Sequence, residues 1–353
     1  MKHLDFSPDY AILPPSFCAD AVVTNPAELL RTGSWQNLLR LCGTEEKKIG
    51  AGASDYDFFC AVCEASELLI GHPTVSMTQT FLQVNFEVTE TLSPANCNRI
   101  WRACCEDLFH NRRIYSDFLC RGRGATLGRT LAPQEELPCG TEMMLDGNLF
   151  LAREVLTGET WLDTVRDSTE RFFAAGGKKI HFVPEEDFCF LTPDLYHVRQ
   201  YLNKPKRQRE EQQMLIAQLF RILCEQCVGH GADLVLNSQA SATALCDLLA
   251  YAQETVGLPR IYWSTPNLQA ASRVLNFQSE RSLSNLYLTL RLSDSPSDAE
   301  LVSVLSAYAA RYPLGRLCAV TESDWIFLSF ARQRMYNAYA DVCERLRKSC
   351  EKK

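Results

Sequence analysis

The sequence predicts an α/β protein, a closed (β/α)8 TIM-type barrel with an N-terminal helical insertion. Five predicted strands alternate with helices through the second half of the 353-residue chain. Because helices of about ten residues or more separate these strands, neighbouring strands must run parallel and be joined by crossovers. An open doubly wound sheet is the alternative, but the segment 122–128, GRGATLG, lacks the GxGxxG spacing and follows no apolar strand. We therefore favour the barrel.

The alternation begins with an amphipathic helix after Thr160. Thr160 and Asp163 match a capping box, and Gly176 and Gly177 follow the last apolar position of the helix. The strands that follow are predicted at 178–183, 233–236, 260–264, 285–292 and 316–321, and the helices between them at 206–228, 241–256, 266–276 and 296–311.

The first half of the chain has a different pattern. Helices are predicted at 26–41, 55–69 and 94–109, with little strand signal before residue 140. We expect residues 1–353 to form a single distorted barrel domain, residues 26–112 to be a helical insertion within it, and residues 331–351 to form the C-terminal helix.

Composition excludes several classes of function. The chain is 46% hydrophobic and 22% charged with a net charge of −7, which is typical of a globular protein and argues against binding to nucleic acid. No apolar run approaches the ~20 residues that span a membrane. The N-terminal residues lack the apolar core of a signal peptide, so we expect a cytoplasmic protein.

Sixteen cysteines include two CxxC pairs, Cys60/Cys63 and Cys224/Cys227. Four thiolates are enough for a structural zinc site. Both pairs lie within helical patterns, however, and not on turns. We therefore interpret them as reduced packing residues, with zinc as the alternative.

Three segments resemble a known family. Residues 49–101 contain GAGASDYDFFCAVCEAS, LLIGHPTVSMTQTFLQVNF and the Ile-Trp pair of LSPANCNRIWRACCEDL, in the order found in uronate isomerases of the amidohydrolase superfamily. The segment HGADLVLNSQASATALCDLLAYAQETVGLPRIYWSTPNLQAASRVLNFQ and the segment GRLCAVTESDWIFLSFARQRMYNAY are similar to later parts of the same family. The chain is identified as a diverged, shortened relative.

This resemblance implies a metal-dependent-hydrolase-like barrel and the aldose–ketose isomerisation of hexuronates, D-glucuronate to D-fructuronate. A divalent metal, zinc or manganese, would polarise the sugar oxygens while a base moves the proton. The family's first strand ends in a His-x-His pair, but here residues 10–20 contain Pro14, Pro15 and Ser16, and all six histidines are isolated. We therefore assign no metal ligands and no cofactor, with zinc or manganese as the alternative.

The resemblance still implies site candidates. They are Glu322, Asp324 and His181 as catalytic groups, and Arg332, Arg334, Ser76, Gln79 and Trp325 as substrate-binding groups. Ser76 and Gln79 stand where the family pattern places histidines, and Trp325 offers a ring that stacks on a sugar face. For each of these residues, packing or surface solvation is the competing interpretation.

Three functional hypotheses follow. The first is a uronate isomerase-like protein, catalytically impaired by the missing histidines, that retains binding of a small-molecule sugar acid. The second is an active isomerase with a rebuilt site. The third is a non-enzymatic regulatory or interaction protein. No nucleic-acid or membrane partner is expected, and a homo-oligomer is compatible with all three hypotheses.

Overall fold

The computed structural model describes residues 10–350 apart from short gaps. The gaps are residues 14–16, 32–33, 51, 120–123, 129–140, 153–159, 203, 205–206, 239, 265–272, 275, 279, 282, 284, 292–297, 310–316 and 322–324. Glu322, Asp324 and most of the predicted helix 266–276 therefore lie outside the described residues.

The described strands close into one parallel barrel in chain order. They are β1 (Tyr10–Leu13), β2 (Gly124–Gly128), β3 (Thr141–Asp146), β4 (Lys179–Phe182), β5 (Asp233–Asn237), β6 (Arg260–Ser264), β7 (Leu286–Arg291) and β8 (Leu317–Thr321). The barrel closes where β1 pairs with β8, with Tyr10 opposite Val320. The predicted TIM-type barrel is confirmed.

Helices cover the barrel and fill the connection between β1 and β2. They are α1 (Pro26–Leu30), α2 (Trp35–Leu41), α3 (Glu46–Ile49), α4 (Asp55–Leu68), α5 (Pro73–Phe86), α6 (Cys97–Asn111), α7 (Trp161–Ala174), α8 (Leu195–Leu202), α9 (Arg209–His230), α10 (Ala242–Thr255), α11 (Asp298–Ala309) and α12 (Leu328–Cys350). Short 3₁₀ turns occur at Tyr115–Phe118, Gly147–Leu151 and Trp325–Phe327.

The five strands predicted for the second half are found, each within two residues of its expected ends. The capping box at the start of α7 is wrong. Thr160 is the N-cap, but its backbone (φ −86°, ψ 0°) is not extended and its side chain makes no capping hydrogen bond. An extended N-cap is what normally aims the side-chain oxygen at the free amides of the first turn.

The strand β2 explains the glycine-rich segment that the sequence left unassigned. Gly124 pairs with Ala11 of β1. A Cβ atom at Gly124 would lie 2.9 Å from Cδ1 of Leu13, so a side chain there would force Leu13 to shift. Small residues allow this close approach of strands, but they carry little hydrophobic signal, which is why the sequence did not reveal the strand.

Helices α1–α6, here called the helical layer, share a core of their own. It includes Trp35, Phe58 and Phe81 and continues to Trp325 after β8. The indole of Trp35 donates a hydrogen bond of 2.9 Å to Oγ1 of Thr78, which ties α2 to α5. The sequence did not predict α5, whose run of Thr, Val, Ser and Gln gives a weak helical pattern.

The C-terminal helix α12 begins at Leu328, three residues before its predicted start, and packs against α11 and β8. None of the helices in the described ranges is long and apolar enough to cross a bilayer.

Candidate functional site

Strand register decides which side chains point into the barrel. Successive residues of a strand face opposite sides of a sheet. The inward cluster consists of Tyr10, Ile12, Ala125, Met144, Val235 and Tyr262. A residue also faces inward if it pairs in register with one of these, or if it lies two positions away on the same strand. The inward-facing residues form three levels, from the N-terminal to the C-terminal end of the barrel strands.

The N-terminal level is charged. Lys179 forms ion pairs with Glu142 and, at 4.0 Å, with Oδ2 of Asp233. Nε of Arg260 lies 2.8 Å from Oδ1 of Asp233, and this hydrogen bond raises the pKa of the Arg260 guanidinium. The alternating charges balance one another, so this level is an ion-pair network, which meets solvent at the Arg260 side chain.

The middle level is aromatic. Tyr262 contacts Tyr10 with ring centroids 5.6 Å apart and Tyr287 with centroids 5.4 Å apart. Tyr10, Met144 and Tyr262 are almost completely buried. This plug fills the barrel as the packed side-chain layers of TIM barrels do, so a ligand that enters at the C-terminal end of the barrel reaches no deeper than the C-terminal level.

The C-terminal level is a row of polar residues, here called the mouth row. Its members are Asp146, His181, Asn237, Ser264 and Thr289, one from each of β3 to β7. Register pairs Asp146 with His181, Asn237 with Ser264, and Ser264 with Thr289. In TIM barrels this end of the strands carries the functional residues.

The amide of Asn237 is the centre of the mouth row. Its Nδ2 lies 2.7 Å from Nε2 of His181, and its Oδ1 accepts a hydrogen bond from Oγ of Ser264. Because Oδ1 is the acceptor, Nδ2 is the donor and Nε2 of His181 carries no proton. Asn237 and Ser264 are buried and His181 is 9% exposed, so the mouth row meets solvent at the His181 end.

Asn148 fixes the loops after β3 and β4 beside the mouth row. Its Nδ2 donates to the carbonyl of Val183 at 2.7 Å, and its Oδ1 accepts from the amide of Val183 at 2.8 Å. The amide of Asn148 in turn donates to Oδ1 of Asp146 at 3.0 Å. Asp146 and His181 are thereby held side by side at the rim.

Thr289 completes the row with an unused hydroxyl. The residue is fully buried, and its Oγ1 has no hydrogen-bond partner among the described residues. A buried hydroxyl without a partner is costly. An incoming hydroxyl or water beside Ser264 would satisfy it.

The mouth row does not fit the divalent metal that the resemblance implies. Its innermost donors are a neutral amide and two hydroxyls, whereas zinc prefers imidazole, thiolate and carboxylate. Nε2 of His181 is already an acceptor for Asn237. Within the described ranges, no three His, Cys, Asp or Glu side chains form a group that could hold a metal ion.

Two of the other predicted site residues lie elsewhere. Ser76 and Arg334 line a surface cavity of about 790 Å³ between the end of α4, the start of α5 and the face of α12. No strand residue lines this cavity. His72 also lines it, and burial together with the charge of Arg334 lowers the pKa of the His72 imidazole.

The remaining candidates have structural contacts. Both ends of the Gln79 amide are used, because Nε2 donates to the carbonyl of Glu90 at 2.8 Å and Oε1 accepts from the amide of Leu92 at 2.7 Å. Trp325 is fully buried and contacts Phe17 edge-on, so its ring offers no face to a sugar. Arg332 is partly buried on α12, and Glu322 and Asp324 lie outside the described residues.

Of the predicted residues that the structure describes, only His181 is in the mouth row. Sequence reasoning missed Asp146, Asn237, Ser264 and Thr289. One signal was available for three of them, since Asp146, Asn237 and Ser264 are each the polar last residue of an otherwise mostly apolar strand. The hydrogen bonds that join them depend on the register of neighbouring strands, which the sequence does not state.

Known proteins resemble this chain in part of the sequence and in the whole fold. The family model described as glucuronate isomerase matches residues 32–152. Uronate isomerase of Brachyspira hyodysenteriae is 31% identical over 100 residues, which are 28% of this chain and 21% of that protein. Uronate isomerase of Bacillus pumilus is 28% identical over 137 residues, 38% of this chain and 28% of that protein. These matches span less than a third of each relative's length.

Solved structures extend the likeness to the complete barrel. A uronate isomerase from Thermotoga maritima superposes with a TM-score of 0.81 over 98% of this chain and 90% of that chain, at 13% identity. A glucuronate isomerase from Caulobacter crescentus gives a TM-score of 0.69 over 98% of this chain and 87% of that chain, at 15% identity. At these identities the superpositions establish the shared fold.

Proposed function

Since this chain is a relative of the uronate isomerases and has their barrel, we propose that it binds a hexuronate without catalysing the metal-dependent isomerisation. The observation that carries this proposal is the amide-centred hydrogen bonding of Asn237 with His181 and Ser264. Neutral donors and acceptors stand at the inner part of the barrel mouth, where an enzyme of this chemistry needs a metal and a base.

The mouth row supplies what a sugar requires for binding. Sugar hydroxyls both donate and accept hydrogen bonds, and they are recognised by a few fixed polar groups in a concave site. Asp146 offers a carboxylate acceptor at the partly exposed rim, and His181 offers its ring beside it. Thr289 offers a buried hydroxyl with no described partner.

The same row is poorly suited to the isomerisation. Exchange of an aldose and a ketose moves a proton between neighbouring carbons, which needs a base within reach and a group that polarises the carbonyl. For His181 to act as that base through Nε2, it would have to lose its hydrogen bond from Asn237. The described residues of the row include no cation that would polarise the carbonyl.

A titration of D-glucuronate and D-galacturonate into the chelator-treated protein tests the proposal. We expect saturable binding by calorimetry with no added metal. Asn237→Ala should weaken this binding about tenfold or more, because the row loses its central amide. Ser76→Ala, in the surface cavity, is the matched control and should bind as the unaltered protein does. Absence of binding to the unaltered protein, or binding that requires zinc or manganese, would contradict the proposal.

A further inference from the structure

A third thiol meets the CxxC pair of α4. Sγ of Cys60 lies 3.2 Å from Sγ of Cys97, the first residue of α6. Burial together with the neighbouring thiol of Cys97 raises the pKa of the Cys63 thiol, so Cys63 lies beside the same pair. All three cysteines are free. The motif that the sequence left as packing is therefore part of a sulfur cluster between two helices.

Aromatic packing holds this contact in place. Trp101 of α6 lies edge-on to Tyr56 with ring centroids 5.3 Å apart, and its centroid is 5.5 Å from that of Phe59. Tyr56 is one helical turn before Cys60, and Trp101 is one turn after Cys97. Cys60 and Cys97 therefore lie one turn along the same α4–α6 interface as these aromatic rings. The two cysteines face each other across helices that are packed together.

The three thiols differ in reactivity. Cys60 is partly exposed, whereas Cys97 is 5% exposed and Cys63 is fully buried. Burial raises the pKa of the Cys97 thiol to about 12 and raises that of Cys63 further. An oxidant in solution therefore meets Cys60 first. Among the described residues, the three cysteines do not form a group that could hold a metal ion.

We propose that Cys60 and Cys97 are an oxidisable pair that forms a reversible disulfide between α4 and α6. Hydrogen peroxide is the oxidant. The sulfur of Cys60 attacks the peroxide, its O–O bond breaks, and the products are Cys60 sulfenic acid and water. Cys97 then displaces hydroxide from the Cys60 sulfur, and its thiol proton leaves with that hydroxide as a second water. Together the two thiols lose two electrons, which reduce one molecule of hydrogen peroxide.

The geometry favours this pairing over one within the CxxC motif. Forming the bond shortens the sulfur separation from 3.2 Å to about 2.04 Å, which side-chain rotation between helices can supply. Cys60 and Cys63 lie on one rigid helical turn of α4. The disulfide would join two residues that are 37 positions apart, and the loop it closes contains α5. Such a loop restricts the conformations of the unfolded chain.

Peptide mapping of the full chain tests the proposal. Protein treated with hydrogen peroxide and then alkylated should yield a reductant-sensitive peptide that links Cys60 to Cys97, and a melting temperature several degrees higher than that of the reduced protein. In Cys97→Ser the linked peptide should vanish, and dimedone should tag Cys60 as sulfenic acid. Cys105→Ser, on the same helix, is the matched control and should keep the link.

Several results would overturn the pairing. One is a disulfide between Cys60 and Cys63 in the unaltered protein. Another is oxidation of Cys60 to sulfinic acid while Cys97 stays open to alkylation. A third is no oxidation of Cys60 at peroxide concentrations that oxidise the exposed Cys18. The map of the unaltered protein decides the matter even if Cys97→Ser does not fold.

Discussion

The side-chain amide of Asn237 donates to Nε2 of His181 across neighbouring strands, at a distance of 2.7 Å. This bond joins the ends of β4 and β5 at the barrel mouth, and it occupies Nε2 of the imidazole. A histidine binds a metal or acts as a base through a ring nitrogen with a free lone pair, and here the lone pair of Nε2 accepts the hydrogen bond from Asn237. The proposed loss of metal-dependent chemistry rests on this relationship more than on any residue that the chain lacks.

Asn237→Ala should destabilise the protein by about 2–4 kcal/mol, because it leaves buried groups of His181 and Ser264 without the bonds they now share. The free energy of unfolding by urea measures this effect. Gln333→Ala, on the exposed face of α12, should change it by less than about 0.5 kcal/mol. An equal, small change in the free energy of unfolding at both positions would mean that the amide of Asn237 does not stabilise the fold.

Gly147→Ala should destabilise the protein by about 1–3 kcal/mol through overpacking beside the mouth row. A Cβ at this position would lie 2.8 Å from Cδ1 of Leu223 and 3.1 Å from the carbonyl oxygen of His181. Gly52→Ala is the control, since nothing lies within 4 Å of a Cβ there. Thermal unfolding of the two variants side by side checks the difference, and equal melting temperatures would contradict it.

Arg31→Lys should cost about 1–2 kcal/mol of stability, although it keeps the charge. The guanidinium of Arg31 binds Oδ1 of Asp55 at 2.9 Å and the carbonyls of Ala53 and Ser54 at 3.0 and 3.1 Å. The ammonium group of a lysine cannot form these hydrogen bonds with the same planar geometry. Its comparison is Arg40→Lys, because the Arg40 side chain is 48% exposed while that of Arg31 is 19% exposed. Urea titrations should show a smaller loss for Arg40→Lys.

Glu211 should make stability depend on pH in the acid range. A hydrogen bond from Lys204 lowers the pKa of the Glu211 carboxyl, and the amide of Gln208 also donates to it. A carboxyl with a lowered pKa in the folded state stabilises it above the unfolded value of about 4.3, and this contribution is lost as pH falls through the folded value. Glu211→Gln should therefore flatten the fall in melting temperature between neutral pH and pH below 4, whereas exposed Glu210→Gln should not.

The sequence predicted the barrel because β4 to β8 are regular apolar strands separated by amphipathic helices. It did not predict β2, where Gly124 and Ala125 carry almost no hydrophobic signal, or α5, whose residues have weak helical preference. The resemblance indicated the family, but it also predicted Gln79 and Trp325 as substrate-binding residues. Their side chains are occupied by loop and core contacts that only the folded chain creates.

The candidate site was harder to predict for a physical reason. Asn237, Ser264 and Thr289 are far apart in sequence, and Thr289 lies within β7 and not at its end. Strand register alone brings them into one row. His181 was identified through the resemblance, but its bond to Asn237 has no signature in the sequence.

The central claim is tested most directly by measuring conversion of D-glucuronate to its keto isomer by the purified protein across a titration of zinc and manganese. The account predicts no metal-dependent turnover above the rate of the Asn237→Ala variant. A saturable, metal-dependent rate in the unaltered protein would contradict it and would show that His181 and its neighbours form a working centre.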